Sequence, residues 1–78
     1  MPSKPATYQH QRMFGDAVRA YRKKLKLSQE ELAHRSEINT TYMSEVERGI
    51  KTASLVTIMK IAKGLGVTGR DLMSRAGL

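Results

Sequence analysis

The stretch Leu27-Ser28-Gln29-Glu30-Glu31-Leu32-Ala33-His34-Arg35-Ser36-Glu37-Ile38-Asn39-Thr40-Thr41-Tyr42-Met43-Ser44-Glu45-Val46-Glu47-Arg48-Gly49 decides the fold. Ser28 is a good helix N-cap, because its hydroxyl can accept from a free N–H of the first turn. Glu31 stands three residues on, where its carboxylate can reach back to the cap, and Leu27 and Leu32 flank the pair as a hydrophobic staple. Asn39 starts a second helix in the same way, with Ile38 and Met43 in the staple positions. The first of these helices is expected from Gln29 to about Ser36, the second from Thr40 to about Arg48. Only Glu37, Ile38 and Asn39 lie between them, so the two helices must cross at a steep angle. Glu37 stands where the turn often has glycine, and a left-handed backbone there costs about 1 kcal/mol, which is tolerable. Gly49 is a C-terminal stop.

The same signals continue outward. Upstream, Phe14, Val18, Tyr21 and Leu25 recur at intervals of four, three and four, one face of an amphipathic helix starting at about Gln11. Gly15 weakens that helix by about 1 kcal/mol relative to alanine. Arg19, Arg22, Lys23, Lys24 and Lys26 near its end suit the negative end of the helix dipole. Residues 1–9 contain two prolines and no periodicity, and are expected to be a flexible arm before a single domain over residues 10–78. Downstream, Ser54 caps a fourth helix between Ala53 and Ile58. Thr68 caps a fifth, with Asp71 completing a capping box and Val67 and Leu72 as its staple. In the fourth helix Leu55, Ile58, Met59, Ala62 and Leu65 share the expected inner face, and Gly64 or Gly66 ends it. The fifth is expected from Gly69 to about Arg75. The fold class is all-α, five short helices.

Composition bounds the function. With 78 residues there is room for one small domain, and with no cysteine there is no disulfide framework, cysteine-based zinc site or thiol nucleophile. Fourteen Lys and Arg against seven Asp and Glu leave a net charge of +7. That much charge on so small a body points to a polyanionic partner, nucleic acid first and an anionic membrane second. Residues 1–27 carry seven basic groups and one acid, and residues 49–78 carry five and one. The middle, residues 28–48, carries two basic groups and five acids. No apolar run is long enough to span a bilayer and the start does not read as a secretory signal, so a cytoplasmic location is expected.

Met43 and Val46 point inward from the third helix, which leaves Thr40, Thr41, Ser44 and Glu45, with Tyr42, on its outer side or edge. Exposed helix faces normally carry long charged residues. Small hydroxyls instead allow close approach to another surface, and they can bond to base edges or phosphates. The same face also suits an ordinary polar surface rich in cap-forming residues.

The residues Leu27-Ser28-Gln29-Glu30-Glu31-Leu32-Ala33, Tyr42-Met43-Ser44-Glu45-Val46-Glu47-Arg48-Gly49, Ser54-Leu55 and Ile61-Ala62-Lys63-Gly64-Leu65-Gly66-Val67 resemble the Cro/repressor-type (Xre) helix-turn-helix family. The match covers about residues 14–74, with the motif at about 28–48. Within the family, the short length and the Thr-Tyr-Met-Ser-Glu-Val-Glu-Arg segment are similar to restriction–modification controller proteins. The resemblance implies a lambda-repressor-like domain, double-stranded DNA as partner, and a homodimer on an operator. It implies that Thr40, Thr41, Ser44 and Glu45 read bases, and that Gln29, Asn39, Tyr42, Arg48, Lys51 and Thr52 contact the DNA backbone. It further implies an internal salt bridge between Arg22 and Glu47, against which stands the reading of two independent surface charges. Two departures matter. No Gln, Arg or Lys stands at the first reading positions, and Glu45 is an acid facing a polyanion.

A homodimer needs a pairing surface, and Val67, Leu72, Met73 and Leu78 are expected to supply it as the apolar residues least needed for the core. No catalytic set, metal ligation, cofactor or small-molecule effector is expected. His34 is expected to face solvent, and Met13, Met43, Met59 and Met73 to fill core. The rival function is a protein-interaction module, such as an antitoxin that holds a toxin, for which an exposed apolar patch should dominate over flanking positive charge.

Overall fold

The computed structural model describes residues 6–78 as five helices: α1 (Ala6–Lys24), α2 (Gln29–Ser36), α3 (Thr40–Glu47), α4 (Leu55–Leu65) and α5 (Gly69–Ala76). All four expected N-caps form. Ser28 accepts from Glu31 N–H at 3.0 Å, Asn39 from Tyr42 N–H at 2.7 Å, Ser54 from Thr57 N–H at 3.1 Å and Thr68 from Asp71 N–H at 2.9 Å. Glu31 and Asp71 reach back to complete capping boxes at Ser28 and Thr68. Each cap supplies a partner for an otherwise unpaired N–H and contributes about 1 kcal/mol. Glu37 takes the left-handed conformation at φ 57°, and the Glu37 and Ile38 N–H groups close the end of α2. Lys26 does the same beyond α1, at φ 59°.

Several expectations change. Residues 6–9 belong to α1 rather than to an arm, since no glycine or proline interrupts Ala6–Gln9; the arm reading of residues 1–5 lies outside the described residues. The inner face of α4 is Thr57, Ile61, Ala62, Gly64 and Leu65, whereas Leu55, Val56 and Met59 are exposed. The apolar residues of α4 nearly encircle its first turns, so periodicity alone does not single out the buried side. Leu72, expected on a dimer face, is fully buried, because α5 lays Leu72 and Ala76 against the core beside α1. Val67 and Met73 are half-buried at the core's edge, and only Leu78 of that set is exposed. Leu25 is also exposed, and of the helical methionines only Met43 is fully buried.

The core joins Phe14, Ala17 and Val18 of α1 to Leu32 and Ala33 of α2, Met43 and Val46 of α3, Ile61, Ala62 and Leu65 of α4, and Leu72 and Ala76 of α5. Each helix contributes one stripe, and α2 with α3 rests on this shared base. The contact between α2 and α4 is closer than a side chain allows. Gly64 of α4 lies against Ser36 and Leu32 of α2, so it is a crossing point rather than a helix end, and Gly66, at φ 74°, ends α4 instead.

Candidate nucleic-acid interface

The placement of α3 starts with its buried side. Met43 and Val46 are fixed in the core, and the Glu47 carboxylate turns inward, with only 2% of its side chain exposed. Arg22 of α1 meets it in a fork: Nε donates to Glu47 Oε2 at 2.6 Å and Nη2 to Oε1 at 3.0 Å. Arg22 Nη1 also donates to the Leu27 carbonyl at 2.8 Å, and Gln29 Nε2 donates to Glu47 Oε1 at 3.0 Å. One carboxylate thus ties the end of α1, the start of α2 and the end of α3. Removing Arg22 would leave that buried charge short of its main partner, at a cost of about 3–5 kcal/mol, although the intact pair's net contribution is much smaller. Its main effect is orientation.

With that side fixed, the opposite side of α3 faces out. Thr40 and Thr41 are exposed, and Ser44 and Glu45, one turn on, are half-exposed. These four share one face at helical spacing, turned away from the core. Among the backbone-contact positions, Asn39, Arg48, Lys51 and Thr52 are exposed, and Gln29 and Tyr42 are half-buried. All but Arg48 and Lys51 are partly engaged within the protein. Asn39 Oδ1 is taken by the cap, leaving its amide N–H groups; Gln29 has one N–H on Glu47. The Tyr42 hydroxyl turns toward the Thr52 carbonyl and Thr57 Oγ1, each at a long 3.4 Å, and Gln11 donates to the Thr52 hydroxyl. These bonds link Thr52, in the segment after α3, to α1 and α3.

A cleft of about 330 Å³ opens beside α3, lined by Arg12, Asp16, Arg19 and Arg22 of α1, Gln29, and Ser44, Glu47 and Arg48. Arg12 was not among the expected contacts, and Arg19 was expected only as part of the basic end of α1 that flanks α3. Their signal in the sequence is the stripe Arg12, Asp16, Arg19, Arg22 at intervals of four, three and three, but α1 was read there for its apolar face. Among the described residues, no group of three or more acidic or histidine side chains could hold a metal ion, and no helix is long and apolar enough to cross a membrane. His34 is exposed, as expected.

A helix with hydroxyls outward, held by α2 across a three-residue turn and flanked by arginines, defines a class. A helix-turn-helix family model matches residues 18–72, and the chain belongs to that family, in its Cro/repressor (Xre) branch. It is similar to the control protein C.BamHI of Bacillus amyloliquefaciens, at 45% identity over 62 residues, 78% of this chain and 76% of that protein. The control protein C.MunI of a Mycoplasma species is 42% identical over 62 residues, 78% of this chain and 84% of that one. Among solved structures, the restriction–modification controller protein C.AhdI of Aeromonas hydrophila matches with a TM-score of 0.78 and 40% identity, covering 80% of this chain and 94% of that one.

Proposed function

We propose that the protein is a sequence-specific DNA-binding transcriptional regulator that acts as a homodimer on an operator. The observation that carries this reading is the outer face of α3, where Thr40, Thr41, Ser44 and Glu45 stand clear of the core while Arg48 and Lys51 flank them. A helix with short side chains can enter the major groove, roughly 12 Å wide, where hydroxyls bond to base edges and a threonine methyl meets that of thymine. The flanking cations, with Gln29, Asn39, Tyr42 and Thr52, then hold the phosphates on either side. No amide or guanidinium stands on the reading face itself, so preference rests on hydroxyl contacts, Glu45 toward a cytosine amino group, and DNA shape. Similarity to the control proteins supports control of restriction–modification genes, or of the protein's own gene. In this reading it acts in the cytoplasm on duplex DNA, without cofactor, metal, effector or catalytic step.

Dimerisation follows from size. An eight-residue α3 is roughly 12 Å long and reads only a few base pairs, too few for selectivity against a genome. Leu55, Val56 and Met59 are 74%, 63% and 54% exposed, and with Ile58 and Met73 they form an apolar face across α4 and α5. That face supports pairing through the fourth and fifth helices, as the sequence suggests, with Met73 kept from the expected set and Leu55, Val56, Ile58 and Met59 in place of Val67, Leu72 and Leu78. An antitoxin-like module would use the same face on a foreign partner. Self-association without any partner separates the two.

The test is a gel shift with duplex DNA from upstream of the protein's own gene. If about six to ten phosphates are contacted per dimer, affinity falls about 10³–10⁵-fold between 50 and 200 mM salt. Binding that is flat in salt contradicts the reading.

A further inference from the structure

The cleft between α1 and α3 holds more positive charge than its internal pairing uses. Four arginines and two carboxylates line it, and Arg22 with Glu47 form the only ion pair among the described residues. Arg12, Arg19 and Arg48 therefore remain exposed around it, with Asp16 also exposed and unpaired. Asp16 lies four residues after Arg12 and three before Arg19, on the same stripe of α1. The cleft also shares Ser44 with the reading face, so whatever enters it adjoins the major-groove contact.

Resting on the regulator reading, we propose that this cleft is a phosphodiester clamp in which Arg12, Arg19 and Arg48 grip the DNA backbone beside α3, while Asp16 limits their grip. Guanidinium groups suit the task because their planar forks match phosphate oxygens and stay charged at any relevant pH. Arg12 and Arg19 stand about 10 Å apart along α1, so they follow the strand rather than converge on one phosphate. In the free protein Asp16 offsets the repulsion between them. On DNA the same carboxylate faces phosphate and weakens binding without regard to sequence. The rest of the interface reads bases, whereas this part sets strength.

The experiment measures affinity of the full chain for duplex DNA against salt, using Arg12→Gln, Arg19→Gln and Asp16→Asn, with Arg75→Ala as a control outside the cleft. Glutamine keeps most of the aliphatic stem, which matters because Arg12 packs beside Gly49. Thermal melts check that each variant is folded. Each cleft arginine removed should lower the salt slope by about one, equally on all sequences. Asp16→Asn should tighten binding several-fold on all sequences, and Arg75→Ala should leave the slope unchanged. Wild-type binding with cleft variants indistinguishable from Arg75→Ala overturns the clamp and spares the regulator reading. No change, or a loss, in Asp16→Asn overturns the role of Asp16. Wild-type protein that binds no duplex overturns both the clamp and the reading beneath it.

Discussion

At Gly15 two physical demands oppose each other. Alanine would gain about 1 kcal/mol of helix propensity. Its Cβ, however, would lie 2.4 Å from the Val46 carbonyl oxygen and 2.6 Å from that of Glu47. Both are backbone atoms at the end of α3, so relief requires α1 and α3 to separate, and overpacking of this kind costs about 1–3 kcal/mol. Packing wins. Gly15→Ala should lower stability by up to about 2 kcal/mol, seen as a lower urea midpoint with an unchanged slope; a higher midpoint would show that propensity dominates. The sequence shows Gly15 only as a weak point in a helix, because spacing within one helix says nothing of what crosses it. The Arg22–Glu47 pair is equally invisible to spacing and was legible through family resemblance alone. The bond from Gln29 to Glu47 was not legible at all.

Helix starts were the most legible elements, because a cap is a local event between residues three apart. Ser28, Asn39, Ser54 and Thr68 all cap as expected. Glu31 adds a pH dependence to this level. Hydrogen bonds from the Ser28 backbone and side chain hold its carboxyl below the usual value of 4.5, with a smaller contribution from Arg35. A lowered folded value means that its contribution is complete at neutral pH and is lost as pH falls below 4.5 through that lowered value. Wild type should therefore melt above Glu31→Gln at neutral pH, and the gap should close on acidification. A gap independent of pH would contradict this. The buried side of α4 was the element misread, because Leu55, Val56, Ile58, Met59 and Ile61 leave no single apolar stripe at its start. Tertiary placement, α2 against α4 through Gly64, chooses the side.

At the scale of the molecule, the fold is a frame that holds α3 at a fixed attitude, and the proposed function uses two such frames. Leu55→Glu with Met59→Glu should convert a dimer to a folded monomer in sedimentation, since both side chains are already exposed in the single chain. A folded dimer that survives both changes places the interface elsewhere. Leu72→Glu is not a usable probe, because it would put a charge into the core and unfold the chain. The fold was read from the sequence because its signals are local. The exposed apolar face of α4 was not, because a residue exposed on one chain has the same composition as one buried in its core.

The central claim, that paired α3 helices read DNA, is tested most directly by selecting bound duplexes from a random pool, with wild type, Thr41→Ala and Lys51→Ala in parallel. Wild type should enrich a site of two related half-sites with centres about 34 Å apart, one turn of the duplex. Thr41→Ala should change the preferred bases within each half-site, by roughly 1–3 kcal/mol at a contacted position, whereas Lys51→Ala should enrich the same site more weakly. A pool left unenriched by wild type, or a site unchanged by Thr41→Ala and altered by Lys51→Ala, would contradict it.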